Sequence, residues 1–344
     1  MRFQRLFIVV SSLLVLSMLL VACGGETPTA TPATSGGGAA GGATAAATAA
    51  SGGSASSMYI PVISKGFQHQ FWQAVKKGAE DKAKELGVQI TFEGPESESQ
   101  VDKQIEMLQA ALDKKPTALC FAALDSKAAI PLLQKAKDAN IPVVGFDSGV
   151  DSDIPVTTVA TDNIKAAGEA AKRMAQMIGD SGEVALVVHD QTSRTGIDRR
   201  DGFVNEMKNH PNIKIVDIQY GGGDQLKSTD LAKAIIQAHP DLKGLFGANE
   251  GSIIGVLNAV KELKKEGKIT VIGYDSGQQQ QDAIRSGVEA GAITQDPINI
   301  GARCVESAVK AVKGESLPKT IDTGFHWYDK SNIDNAEIQA VLYK

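Results

Sequence analysis

The sequence predicts an α/β protein of two lobes, each built on a parallel sheet with helices on its faces. Two observations carry that prediction. Strand-like and helix-like segments alternate from residue 58 to residue 294, the pattern of parallel strands joined by crossover helices. The segment Ile141-Pro142-Val143-Val144-Gly145-Phe146-Asp147-Ser148-Gly149 also returns as Ile269-Thr270-Val271-Ile272-Gly273-Tyr274-Asp275-Ser276-Gly277, so one strand-and-turn unit occurs twice. The chain has 344 residues and is long enough for two domains once its first 57 are set aside.

Apolar runs predict strands, and 3.6-residue periodicity predicts helices. In the first half, strands are expected over 58–64, 88–92, 118–122 and 142–146, with helices over 71–86, 100–112 and 127–139. Gly87 stops the first of these helices. In the second half, helices over 164–178, 199–208, 226–238, 252–264 and 279–287 alternate with strands over 183–188, 214–219, 244–246, 269–274 and 291–294. Two strands deliver an aspartate, Asp147 or Asp275, at their C-terminal ends. Ligands of open α/β sheets bind beyond those ends. Two such sheets facing each other would put both carboxylates on one cleft, suited to a small polar solute.

Ahead of this part, Arg2 and Arg5 precede an apolar run over 6–21 that ends in Leu20-Val21-Ala22-Cys23. A signal peptide needs only small residues before its cleavage site. Here a small residue is followed at once by cysteine, which is similar to the lipobox of bacterial lipoproteins. That similarity implies a signal peptide over 1–23, cleaved before Cys23, with a lipid on the Cys23 sulfur. A transmembrane helix is the competing reading; the run is short for one and interrupted by serines. Residues 24–57 are almost entirely Gly, Ala, Ser, Thr and Pro. Such a composition cannot offset the entropy of ordering, so a disordered tether with a reach of about 30 Å is expected. The expected location is the extracytoplasmic side of a membrane, periplasm or cell surface, held by the lipid alone.

Charged residues make up 22% of the chain and the net charge is −5, without a basic patch; this speaks against a nucleic-acid partner. His-Glu-x-x-His, Gly-x-Ser-x-Gly and a Gly-Lys-Ser/Thr phosphate loop are missing, and Gly221-Gly222-Gly223 lacks the lysine such a loop needs. No catalysis, cofactor or metal is expected. Cys120 and Cys304 either pair or stay free. Both lie in apolar runs, and burial as free thiols is the preferred reading.

The segment from 58 to 344 resembles the ribose-binding-like periplasmic proteins of bacterial ABC importers, which have the type I periplasmic binding protein fold. The resemblance rests on the strand-end aspartates, Asp201-Gly202-Phe203, Ala238-His239-Pro240-Asp241, Gly247-Ala248-Asn249-Glu250 and Ile293-Thr294-Gln295-Asp296-Pro297. These motifs are specific in combination. The resemblance implies two Rossmann-like lobes joined by a three-strand hinge: an N-terminal lobe of 58–161 plus 296–322 and a C-terminal lobe of 162–295 plus 323–344. Residues 156–161 would form the first crossing. It further implies a monomer that closes on a monosaccharide and delivers it to an ABC transporter permease. A two-lobed transcription regulator of the lac-repressor type would need a DNA-binding segment where the tether stands.

A sugar offers hydroxyls around its ring and C–H groups on its faces, so its binder needs carboxylates and amides at the rim and aromatics above and below. Asp147 and Asp275 would accept hydroxyl protons, or else simply cap the turns that follow them. The resemblance makes Arg199 a donor to sugar oxygens, with Arg200 as the competing candidate, and makes Asn249 and Gln295 ligand amides; Asn249 is also an expected helix cap. Phe71 and Trp72 would stack on the ring or fill the core. Ser64 is a candidate minor contact. Three positions depart from the family pattern. His69 replaces an asparagine and either contacts a hydroxyl or sits on the rim. Ser148 replaces an arginine. Gly223 stands where the second lobe carries an aromatic, which would leave the pocket roomier on that side. These departures count against ribose and lead to the expectation of a hexose such as glucose, with a polyol, purine or signalling furanose, or a chemosensory role, as the alternative.

Overall fold

A computed structural model describes residues 58–343. The signal, Cys23 and tether assignments lie outside the described residues. The elements in order are β1 (Tyr59–Ile63), α1 (Gln70–Leu86), β2 (Gln89–Glu93), α2 (Val101–Asp113), β3 (Leu119–Phe121), α3 (Ile130–Asp138), β4 (Val143–Phe146) and β5 (Thr157–Ala160). Then come α4 (Asn163–Met177), β6 (Gly182–Val188), α5 (Arg194–Met207), β7 (Ile213–Tyr220), α6 (Gln225–Ala238), β8 (Leu242–Gly247), α7 (Glu250–Glu262), β9 (Thr270–Tyr274), α8 (Gln278–Ser286) and β10 (Gly291–Thr294). The chain ends with α9 (Pro297–Val312), β11 (Thr320–Asp322), β12 (His326–Tyr328) and α10 (Ala336–Gln339).

Two six-stranded sheets result, in the orders β2-β1-β3-β4-β5-β11 and β7-β6-β8-β9-β10-β12. Both place the first strand inside the second, so strand order reverses beside β1 and beside β6, where ligands of doubly wound sheets bind. The chain passes between the sheets three times: from β5 to β6, from β10 back to β11, and from β11 to β12. We call the unit around the first sheet lobe one and the unit around the second lobe two.

Strand alternation explains the layering. Ile60 and Val62 of β1 join Val75 and Ala79 of α1 and Val305 of α9 in one core, while Ile63 joins Leu108 of α2 and Leu133 of α3 on the other face. In lobe two, Val184, Leu186 and Val188 of β6 pack with Phe203 of α5, and Ala185 and Val187 pack with Ile253 and Val256 of α7.

The structure departs from the expectations in three places. Helix α5 starts at Arg194, because the Ser193 hydroxyl caps it by accepting from the Gly196 amide; Arg199 therefore sits mid-helix rather than opening it. The sheets are not wholly parallel, since β12 runs antiparallel to β10. This strand, β11 and α10 are three or four residues long, too short to leave a periodic signal. Finally, Cys120 and Cys304 are disulfide-bonded rather than free, with Cα atoms 6.2 Å apart. Alternation turns Cys120 of β3 toward the core shared with α9, which brings Cys304 opposite it. Among the described residues no helix is long and apolar enough to cross a membrane.

Candidate functional site

The duplicated segment builds the same backbone device in each lobe. Asp147 follows β4 with φ 54 and Asp275 follows β9 with φ 81, both left-handed. Aspartate tolerates that conformation better than most residues. Each amide donates to the neighbouring strand, Asp147 to the Val159 carbonyl at 2.8 Å and Asp275 to that of Ile293 at 2.6 Å. Both carboxylates border one cavity between the lobes.

On the lobe-two side the polar groups brace one another. Asp275 Oδ1 accepts from Gln295 Nε2 at 2.7 Å, and Oδ2 accepts from the Glu250 amide at 2.9 Å. Arg199 Nη1 stands 4.0 Å from Asp275 Oδ2. The guanidinium donates through Nε to Asn163 Oδ1 at 2.8 Å and through Nη1 to the Ala248 carbonyl at 2.9 Å. Its Cζ lies 3.7 Å from the centre of the Tyr274 ring, a cation–π stack. Asn249 caps α7, its Oδ1 accepting from the Ser252 amide, and its Nδ2 donates to Glu98 Oε2 of lobe one at 3.4 Å.

On the lobe-one side, Phe71 and Trp72 meet edge to face with ring centres 5.0 Å apart. The Trp72 indole N–H donates to Glu98 Oε1 at 2.7 Å. Lys65, two residues beyond the end of β1, donates through Nζ across the cleft to Thr195 Oγ1 at 3.1 Å and stands 3.9 Å from Glu98 Oε2. His189, directly after β6, meets Thr195 Oγ1 through Nε2 at 3.1 Å.

Burial pushes Asp147 up to about 6; Lys65 and Arg199 counteract it, while Glu98 and Asp275 add to it. No described residue donates a hydrogen bond to its carboxylate. Burial, with the positive Lys65 and Arg199, pushes His189 down, against the opposing pull of Asp190 3.7 Å away. Burial would raise Glu98, but above all Lys65, with His69 and the Trp72 indole N–H, holds it below its ordinary value.

Lys65, His69, Phe71, Trp72, Glu98, Asp147, His189, Thr195, Arg199, Asn249, Asp275 and Gln295 line one narrow cavity of about 20 Å³, so the lobes must part to admit a ligand larger than water. Eight of the nine sequence candidates thus come together. Ser64 does not line this space: its hydroxyl donates to the Gly66 and Glu93 carbonyls. Arg200 bonds Asp201 and Tyr220 away from it. The expectation of extra room at Gly223 is also corrected, because a Cβ there would stand 3.0 Å from Glu98 Oε2. The glutamate fills the side left by the absent aromatic. Lys65, Glu98, His189 and Thr195 went unnoticed in the sequence. His189 follows β6 just as the two aspartates follow β4 and β9, and Lys65 stands one residue further beyond β1, so the strand-end rule applied to β1 and β6 points to both. Three buried atoms on the cavity lining, His69 Nδ1, His189 Nδ1 and Gln295 Oε1, have no partner among the described residues. Uncompensated buried polar atoms are costly, so they mark where a polar ligand would bond. A more open groove of about 480 Å³ lies elsewhere on lobe one, lined by Ile141, Pro142, Val156 and Leu317 among others, and holds none of the site residues.

Comparison with known proteins fits this geometry. The profile of the periplasmic binding protein domain matches residues 60–316. The D-allose-binding periplasmic protein of Escherichia coli is 29% identical over 266 residues, covering 75% of this chain and 86% of that protein. The ribose import binding protein of Bacillus subtilis is 27% identical over 251 residues, covering 73% and 80%. Among solved structures, an ABC transporter solute-binding protein from Agrobacterium vitis with bound D-fucose superposes with a TM-score of 0.81 at 34% identity, covering 83% of this chain and all of that one. A second from the same organism, bound with α-D-tagatopyranose, gives 0.79 at 33% identity, covering 83% and 99%.

Proposed function

Because the chain belongs to the periplasmic binding protein family, we propose that it captures a monosaccharide between its lobes and delivers it to an ABC transporter permease. One observation carries this reading above others: two strand-end carboxylates, Arg199, two amides and the Phe71–Trp72 pair converge on one small buried cavity. Carboxylates and amides match the hydroxyls of a sugar, and the aromatics match its C–H faces. The three crossings form the hinge about which the lobes close. The ligand set is Asp147, Asp275, Arg199, Asn249, Gln295, His69, Phe71 and Trp72, joined by Lys65 and Glu98.

A hexose such as glucose is preferred over a pentose, in keeping with relatives and neighbours named for D-allose and D-fucose. The chain acts outside the cytoplasm as a monomer, anchored through a lipid on Cys23. Melting shifts and calorimetric titrations with D-allose, D-fucose, D-tagatose, D-glucose, D-galactose, D-ribose and D-arabinose test the reading. At least one hexose should raise the melting temperature and bind more tightly than D-ribose. Tighter binding of D-ribose would reverse the hexose preference, and no shift with any sugar would overturn the reading. Cys23→Ala should release the protein from the membrane.

A further inference from the structure

Two helices that border the cleft carry no side-chain cap of their own. Neither His69 before α1 nor Gly277 before α8 supplies one, whereas α4, α5, α6, α7 and α9 each have a local Asp, Ser or Asn cap. The opposite lobe provides what is missing. Glu250 of lobe two accepts from the Gln70 amide at 2.9 Å and the Phe71 amide at 3.0 Å, both at the start of α1. In return, Gln70 Oε1 of lobe one accepts from the Gln278 amide at 2.8 Å, at the start of α8. Orphan amides at a helix start need an acceptor, and the positive end of the helix dipole favours a carboxylate there. Glu250 is buried, and its own lobe uses its backbone amide rather than its carboxylate. Gly277 fits the same scheme. With φ −58 its backbone tolerates any side chain, yet a Cβ would stand 2.8 Å from Gln70 Oε1 and 3.2 Å from the Glu250 carboxyl. The tighter of these contacts, with Gln70 Oε1, comes from the opposite lobe and exists only while the lobes are together.

We propose that Glu250 and Gln70 are positioning residues of the sugar site: reciprocal helix caps that hold the lobes shut and fix the backbone of Phe71 and Trp72 against the cavity. The proposal rests on the reading that the lobes open and close around a ligand. In the open form each cap is lost to water, so the caps add to closure and to affinity without touching the sugar.

The test uses the full chain with donor and acceptor dyes on Asp81 of α1 and Asp230 of α6. Closed fraction is read without sugar and with D-allose, and affinity by calorimetry with the sugar panel above. Glu250→Gln keeps the shape but turns an N–H toward a backbone N–H. It should weaken affinity about 10- to 100-fold, mainly through faster release, and lower the closed fraction, with sugar-free melting within about 2 °C of wild type. Gly277→Ala should act in the same direction by about 3- to 10-fold. Wild-type affinity and closed fraction in both variants would overturn the proposal. A large fall in the melting of sugar-free Glu250→Gln with Gly277→Ala unaffected would do so too, by making Glu250 merely structural. Should the wild type bind no sugar, the sugar reading falls, and the closed fraction without sugar still decides the caps.

Discussion

Lobe one and lobe two spell the same turn, Gly-aromatic-Asp-Ser-Gly, and use its two key side chains differently. In lobe two, Asp275 is held at both oxygens by Gln295 and the Glu250 amide, and its carbonyl accepts from Tyr328 at 2.8 Å. In lobe one, the Asp147 carboxylate receives no such brace, and burial pushes it up to about 6. The preceding aromatics diverge as well. Tyr274 supports the Arg199 guanidinium on its face and donates to Asn163 Oδ1 at 2.9 Å. Phe146 backs Trp72 at 6.3 Å within a hydrophobic core cluster. Local sequence thus delivers an aspartate to the cleft from each sheet. Non-local partners decide that one is a fixed frame and the other a poised acceptor.

The sharpest way to break that contrast is to neutralise each carboxylate. Asp147→Asn should weaken sugar binding by at least about 100-fold, since charge-assisted bonds to two hydroxyls are lost. The same change should stabilise the sugar-free protein at pH 7.5. An acid whose folded pKa is raised holds its proton more tightly when folded, so stability falls as pH climbs from the ordinary value toward about 6 and the loss persists above it. Removing that penalty is worth at most about 3 kcal/mol, and the gain should vanish at pH 4. Wild-type affinity should decline below pH 6, by about tenfold at pH 5, with no such decline in the variant. Asp275→Asn should instead destabilise the sugar-free protein by about 1–3 kcal/mol, because an amide N–H would face a donor at one of two bonded oxygens. Melting curves at pH 4 and 7.5 separate the two, and equal stability effects would end the distinction.

The disulfide is a second asymmetry, since it ties β3 to α9 within lobe one and spans 184 residues of sequence. Closing so long a loop limits the unfolded chain, with an upper bound of about 5 kcal/mol. The joint change Cys120→Ser and Cys304→Ser should lower stability toward that bound in denaturant titration. Lobe one should then unfold ahead of lobe two, as read by the fluorescence of Trp72 against that of Trp327. Coincident transitions of unchanged midpoint would show that α9 packing alone secures the crossing.

Much of this arrangement is legible in the sequence, and the remainder is not for physical reasons. Strands and helices longer than about one turn announce themselves by period, so the alternation from β1 to β10 is readable except at β5, which only the family resemblance implies. The tail is not, because β11 and β12 owe their pairing to strands far away in sequence. Site residues at strand ends are readable by rule. Asp147 and Asp275 stand out because the turn is duplicated, whereas Lys65 and His189 hold the same kind of place without a repeat to flag them. Glu98 lies in the loop after β2, and only tertiary packing brings it under the Trp72 indole and beside Gly223. The cysteine pair is ambiguous for a related reason: apolar context is equally consistent with a buried thiol and a buried disulfide, and only the facing of β3 and α9 decides.

The finest test exchanges the aromatics that precede the two aspartates. Tyr274→Phe gives lobe two the residue of lobe one. It removes one hydrogen bond, while Asn163 Oδ1 keeps its bond from Arg199 and the guanidinium keeps a ring to stack on. The cost should be about 1 kcal/mol, about 2–4 °C in melting temperature, with sugar affinity changed less than about threefold. Phe146→Tyr gives lobe one the residue of lobe two and should cost more, about 1–3 kcal/mol, because the hydroxyl enters an apolar cluster around a fully buried ring. The asymmetry is the point of the pair. If the turn itself dictated the role of its aromatic, both exchanges would cost alike; if the surroundings dictate it, the hydroxyl is expendable in lobe two and unwelcome in lobe one.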